Sequence, residues 1–346
     1  MEVLILGGTG VMGAQLLGIL ADDPDAQVTV TSRKQRADFG NVHFVLGNAR
    51  NSSFLDSLLS DARWDVIVDF MNWNLEEFLG CHLSLLDATN HYVFLSSSRV
   101  YAKCEGRIAE DSPRLLEMTK DADFLATNRY ALRKAREEDL ITSSGRGNYT
   151  IIRPYVTYGN RRLQLGIYEK EEWLYRVLND KPLIISEGVL DKTTTMTYGR
   201  DVALGIYRIM QTKPLAGAVH ITTRDTMTWM DVLKLYASII KERTGKDFSI
   251  YTSPELQPIE LLFEGGYNTL YDRKWNRLFD NSKAESVCGH IDYLDMRTGL
   301  SLCLKEFLQD WVTGGGGLFL PINAEYDREM DRLVSDSSVD KEKVLL

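Results

Sequence analysis

Cysteine is scarce in this chain: four residues in 346, Cys81, Cys104, Cys288 and Cys303, far apart and without a C-x-x-C pair. No histidine accompanies them at metal-ligand spacing, so the sequence offers neither a metal centre nor a disulfide framework. Reduced thiols in a cytosol suit this pattern best. Long apolar runs are also missing. None approaches the length of a membrane span, and no basic segment precedes an apolar one at the N-terminus. A cytoplasmic protein with no membrane partner is expected. Positive charge is in deficit too: the formal net charge of −9 repels nucleic acid on average. No internal repeat is visible.

What is present is enough apolar material, 44% of residues, for one large domain or two modest ones. The first half alternates between two periodicities. Short β-branched or aromatic runs predict strands over 28–31, 43–46, 66–70, 92–96 and 150–153, with helices over 53–60, 75–88 and 129–142 between them. Such alternation implies parallel strands, right-handed crossovers and helices on both faces, an α/β doubly wound Rossmann-type sheet. After Tyr158 the pattern is mixed, with helices over 166–178, 201–211, 229–244 and 300–312 and strands over 183–186, 193–198 and 219–222. The expected organisation is a dinucleotide-binding domain over 1–160, to which the chain returns at about 193–222. A smaller mixed α/β substrate lobe takes 161–192 and 223–312. A charged tail, 313–346, follows a hinge-like break at 314–317 and carries one amphipathic helix marked by Tyr326, Met330 and Leu333.

The N-terminus holds the sharpest local signal. Val3-Leu4-Ile5-Leu6 runs directly into Gly7-Gly8-Thr9-Gly10-Val11-Met12-Gly13, so a buried strand empties into a glycine turn that starts a helix. The first glycine permits the turn, the second lets a pyrophosphate approach, and the third lets the helix lie close to the sheet. The helix N-terminus then offers N–H groups and positive dipole character to phosphates.

Two further patterns carry chemistry. In Tyr130-Ala131-Leu132-Arg133-Lys134 the phenol and the ammonium lie four apart, on one helix face. A neighbouring Lys⁺ favours phenolate, and a tyrosine so placed can exchange a proton with a hydroxyl or carbonyl. Tyr92 to Leu95 is a buried strand that ends in Ser96-Ser97-Ser98. Ligands of open α/β sheets bind beside such C-terminal edges, where a serine can hold the oxygen that Tyr130 works on.

In this order, these parts resemble the extended short-chain dehydrogenase/reductase superfamily, in its NAD-dependent epimerase/dehydratase branch. The resemblance spans about residues 1–312. It rests on Gly7-x-x-Gly10-x-x-Gly13, Ser97-Ser98-Arg99-Val100-Tyr101, Tyr130-x-x-x-Lys134 and Arg153-Pro154-Tyr155-Val156-Thr157-Tyr158-Gly159. The resemblance implies hydride exchange between a nicotinamide and a carbon of a nucleotide sugar, with Tyr130 as acid/base. Lys134 would tune it and hold the nicotinamide ribose. Ser97, four residues before Tyr101, would be the partner hydroxyl, with Ser98 its near rival. The cofactor would lie against Gly7, Thr9, Gly10, Val11, Met12, Gly13, Arg33, Asn48, Ala49 and Phe70, with Pro154 and Tyr155 beside the nicotinamide.

Departures from the family pattern are informative. Members that eliminate water commonly place an acidic pair after the catalytic hydroxyl; here stand Ser98 and Arg99, which disfavours a 4,6-dehydratase. Met71 and Asn72 replace the small residues that usually line the cofactor. About twenty residues beyond Gly13, where an acid would bind the ribose hydroxyls of NAD, the chain has Ser32-Arg33-Lys34. A guanidinium there can grip a 2′-phosphate, so NADP is expected over NAD. Ser98, Arg99, Arg162 and Trp173 are the substrate-binding candidates, although a tryptophan at helical spacing from Tyr168 and Val177, as Trp173 is, more often packs in a core. The implied oligomer is a homodimer through the 75–88 and 130–140 helices, with Leu79, Leu83 and Leu86 in the seam. An epimerase or a ketoreductase is the leading reading. The alternative is a non-catalytic RNA- or ligand-binding protein on the same scaffold.

Overall fold

A strand covered on both faces needs apolar side chains throughout, and Val3, Leu4, Ile5 and Leu6 are all wholly buried. They lie in β1 (Glu2–Leu6), an inner strand of a seven-stranded sheet. The computed structural model describes residues 1–61, 63–254, 265–314, 319–344 and 346. The other strands of the sheet are β2 (Gln27–Ser32), β3 (Val42–Leu46), β4 (Trp64–Asp69), β5 (Thr89–Leu95), β6 (Tyr149–Pro154) and β7 (Gly217–Ile221). Their order is β7-β6-β5-β4-β1-β2-β3, and every pairing is parallel.

Alternation along β1 assigns the two faces. Val3 and Ile5 join a cluster with Leu16, Leu20, Ile206 and Ile209, from α1 (Val11–Ala21) and the later helix Gly199–Met210. Leu4 and Leu6 point the other way, into a cluster with Phe78, Leu85, Leu86 and Ile141. That face is covered by α3 (Leu75–Asp87) and α4 (Tyr130–Thr142), while α2 (Ser52–Asp61) adds Leu55. The chain runs outward from β1 through β2 and β3, then crosses to β4 on the other side of β1. The C-terminal ends of β1 and β4 therefore flank a topological switch point, where ligands of such sheets bind.

Beyond β6 lies a second core. Trp173 in α5 (Lys170–Leu178) stacks on Tyr236 at 4.8 Å and Phe248 at 5.8 Å, with the indole N–H donating to Leu163 O. Around this stack pack α7 (Trp229–Thr244) and α8 (Met296–Val312), numbered after α6 (Gly199–Met210). The expected helix over 166–178 begins only at Lys170, because Leu165 and Tyr168 bond reciprocally in a turn where Gly166 has φ +57°. The strand expected over 193–198 is two short pieces, Thr193–Thr194 and Thr197–Tyr198, which pair with different partners. Helix Ser282–Cys288, from the stretch assigned to the lobe, places Ala284 and Cys288 in the core of the large sheet.

The tail is built into the lobe. Tyr326, Met330 and Leu333 of α9 (Ala324–Ser335) are buried, as their spacing predicts. Fully buried Arg176 binds Asp327 at 2.5 Å and Asp331 at 2.7 Å, and Lys181 reaches the same two carboxylates. Glu342–Val344 then pairs antiparallel with Ile250–Ser253, which itself pairs with Leu183–Ser186. Apart from Gly314, the break expected at 314–317 lies outside the described residues.

Candidate active site

Gly7 turns the chain out of β1 with φ +71°, a conformation that L side chains rarely adopt. A Cβ at Gly13 would stand 2.4 Å from Gly8 O, so only glycine lets α1 lie this close to the loop. Gly10 caps α1 in an extended conformation with no side-chain hydrogen bond, and a Cβ there would meet nothing within 4 Å. With no side-chain cap from Gly10, the first N–H groups of α1 are left available to a phosphate. Gly7, Gly10, Val11, Met12, Gly13 and Phe70 line a cavity of about 420 Å³. A second, about 410 Å³, shares Gly7 and Phe70 and adds Thr9, Thr31, Ser32, Arg33, Asn48, Ala49 and Arg50. Together they fit the diphosphate and adenosine portions of a dinucleotide.

The third and largest cavity, about 540 Å³, shares Met12, Phe70 and Thr157 with the first and contains Ser97, Tyr130, Lys134 and Pro154. Ser97 ends the β5 edge and accepts from Arg99 N at 3.2 Å. Tyr130 is the first residue of α4, with the Arg99 and Arg133 guanidiniums 5.0 and 5.8 Å from its ring centroid. Lys134, one turn on, is 2% exposed. Its Nζ is 2.9 Å from Glu137, 3.4 Å from Met71 O and 4.5 Å from the Phe94 ring. Burial raises the Glu137 and Asp69 carboxyls, a rise that the charge of Lys134 opposes only in part. Asp69 is held by Tyr92 at 2.6 Å and Trp73 at 2.8 Å. The ammonium is thus fixed at the cavity wall by buried acids behind it.

The model of the NAD dependent epimerase/dehydratase family matches residues 3–221 of the chain. The protein belongs to that family. A curated relative, low-salt glycan biosynthesis protein Agl12 from Haloferax volcanii, is 30% identical over 141 residues, 33% of this chain and 45% of that protein. The match therefore spans less than half of the relative's length. Among solved structures, the Bordetella bronchiseptica enzyme WbmH in complex with NAD+ superposes with TM-score 0.67 at 14% identity, covering 88% of this chain and 97% of that one. UDP-glucuronic acid 4-epimerase from Bacillus cereus in complex with NAD gives 0.66 at 16% identity, covering 92% and 100%. At such identities the likeness is one of fold.

Within this family member, several side chains expected at the site point elsewhere. Tyr155 is buried away from the cavity, its hydroxyl 3.3 Å from Asp272 and its ring against Phe279. Val156, with φ +36°, presents itself to the cavity instead. The Ser98 hydroxyl donates to Arg153 O at 2.7 Å, and Ser98 is wholly buried. Trp173 serves the lobe core described above. Arg162 and Arg99 do line the large cavity.

Residues that the motifs did not reveal complete the wall. Arg133, Glu169, Glu172 and Arg273 all face the large cavity. Arg162 lies 2.9 Å from Glu169, and Glu169 and Glu172 form a reciprocal capping box on α5. Burial pushes the Glu172 carboxyl up to about 7. Met71 and Asn72, departures from the family pattern, line the cavity as well; Asn72 accepts from Arg133 at 2.7 Å. No short motif marks that wall, since a capping box is ordinarily Ser/Thr-x-x-Glu/Gln and here both positions are Glu.

Proposed function

We propose that the protein is an NAD(P)-dependent nucleotide-sugar epimerase or ketoreductase, with Tyr130 as the acid/base. The observation that carries this reading is the placement of Ser97, Tyr130 and Lys134 in one cavity that opens onto the glycine loop. A bound nicotinamide supplies the acceptor and donor of hydride. When a sugar alcohol is oxidised, its C–H electrons leave as hydride and the hydroxyl proton passes to Tyr130 as phenolate. Ser97 holds the reacting oxygen. Lys134 keeps positive charge beside the phenolate, and the acids behind it fix its position.

NADP is the preferred cofactor in this reading. Arg33 and Arg50 line the adenosine-end cavity, Arg50 held by Glu77 at 2.8 Å, and no carboxylate is among the described residues lining it. A 2′-phosphate there meets guanidinium rather than repulsion. Arg162 and Arg273 are the candidates for the diphosphate of the substrate. A homodimer through α3 and α4 is favoured by Leu79 and Leu83, which are 57% and 42% exposed. Leu86, expected in the same seam, is 1% exposed and packs in the sheet core.

The two activities differ in what happens to the cofactor. An epimerase returns the hydride to the same sugar carbon and needs no net reductant; a reductase consumes one. Purified protein incubated with nucleotide sugars, with and without added NADPH, separates them. Conversion without added cofactor identifies the epimerase, and conversion only with NADPH identifies the reductase. No conversion of any nucleotide sugar under either condition contradicts the proposal.

A further inference from the structure

The tail returns to the glycine loop from the other end of the chain. Leu320 lines the cavity that also holds Gly7, Gly10, Met12 and Gly13, the space fitted to the diphosphate of a dinucleotide. It lines a neighbouring cavity of about 470 Å³ as well, bounded by Thr9, Ala14 and Gln15. The two cavities share Gly10, Val11, Arg161 and Leu320. Leu320 therefore belongs to the partition between them, beside the first turn of α1.

Several contacts hold it there. The Leu320 N–H donates to Glu171 Oε1 at 3.1 Å. The adjoining Phe319 packs edge-on against Phe307 of α8 at 5.2 Å and Tyr175 of α5 at 5.8 Å. Further along, Arg176 and Lys181 clamp α9 through Asp327 and Asp331. The bond to Glu171 has an electrostatic consequence. Glu171 lines the diphosphate cavity, where a free carboxylate would repel the ligand. The Leu320 N–H and the Lys170 ammonium both engage that carboxylate, so the tail helps to compensate it. The Leu320 side chain is itself 69% exposed at this rim. A diphosphate in the cavity would cover apolar surface there and lose water, which strengthens its attraction to the α1 N-terminus, Arg161 and Arg162.

We propose that the C-terminal tail is part of the dinucleotide site, with Leu320 closing the diphosphate cavity and slowing the departure of the cofactor. The assignment rests on the nicotinamide reading above. It adds a contribution from outside the family match, which ends at Ile221, well short of Leu320. Glu171 acts through the tail as a positioning residue.

The test is the rate at which a reduced dinucleotide leaves. Full-length protein loaded with NADPH or NADH is mixed with excess oxidised dinucleotide, and the decay of bound nicotinamide fluorescence gives the dissociation rate constant. Leu320→Asp sets a carboxylate beside the diphosphate and should raise that constant by about tenfold or more, for each dinucleotide that the wild type binds. Leu320→Ala raises it by about threefold, and Leu320→Met stays near the wild type. Because the side chain is exposed, the melting temperature of the dinucleotide-free protein should be unchanged in all of these variants. Rates within about twofold of wild type in both Leu320→Asp and Leu320→Ala overturn the proposal and leave the nicotinamide reading standing. So does a rise confined to variants whose dinucleotide-free melting temperature has fallen, since the tail would then act through the fold alone. If the wild type binds neither dinucleotide, the nicotinamide reading itself falls, and this assignment with it.

Discussion

Lys134 Nζ lies 2.9 Å from Glu137 Oε2, both on α4, with Glu137 wholly buried and Lys134 nearly so. The pair holds the ammonium at the wall of the large cavity. Breaking such a pair leaves one buried charge uncompensated, which costs about 3–5 kcal/mol. Glu137→Ala is accordingly expected to be strongly destabilised in urea. Replacing both partners, as Lys134→Met with Glu137→Leu, recovers much of that loss but no activity. Equal stability of Glu137→Ala and wild type would show that the pair does not hold Lys134.

Cofactor choice is read at Arg33. NADP should bind more tightly than NAD, and Arg33→Ala should lose about tenfold or more in NADP affinity with little change for NAD. Titration calorimetry with each dinucleotide measures both. Equal affinities in the wild type, or loss of neither in the variant, would remove the argument for NADP.

Glu172 should leave a pH signature on stability. Its carboxyl titrates near 4.5 when unfolded and is raised to about 7 in the fold by burial. Between those values the folded state holds more protons, so stability falls as pH rises through the window. The contribution is fully present below about 4.5 and lost above about 7, a span on the order of 3 kcal/mol. Thermal melting of wild type minus Glu172→Gln, followed from pH 5 to pH 8, should show this decline. A flat difference would mean that Glu172 is not held protonated.

Association is expected through α3. Leu83→Asp should convert a dimer to a monomer in sedimentation at micromolar protein, because a charge replaces an exposed apolar side chain at the seam. The circular dichroism spectrum should stay unchanged. A monomeric wild type, or a variant that sediments like it, would contradict this interface.

The sheet, its helices and most of the glycine loop were legible because their signals are local. Periodicity marks β1 through β6, and the Gly7 to Gly13 spacing encodes a turn that depends on few distant residues. Other placements depended on neighbours far along the chain. Tyr155 and Val156 exchange sides because Val156 adopts φ +36°, which no pattern in the sequence announces. Trp173 was a candidate for both substrate binding and core packing, and its stack on Tyr236 and Phe248 puts it in the lobe core. Leu79, Leu83 and Leu86 share one helical pattern, yet only Leu86 meets the sheet core. The arginines of the cavity wall were hidden for the same reason. Arg273 lies 174 residues from Arg99 in a chain of 346, and only the fold brings both to Asp272.

The most direct measurement is the turnover of Tyr130→Phe on a nucleotide sugar that the wild type converts, with cofactor saturating. The account predicts a fall of about 10² or more in kcat with the fold and dinucleotide binding retained, since only the exchangeable proton is removed. A well-folded Tyr130→Phe protein that turns over at the wild-type rate would contradict it.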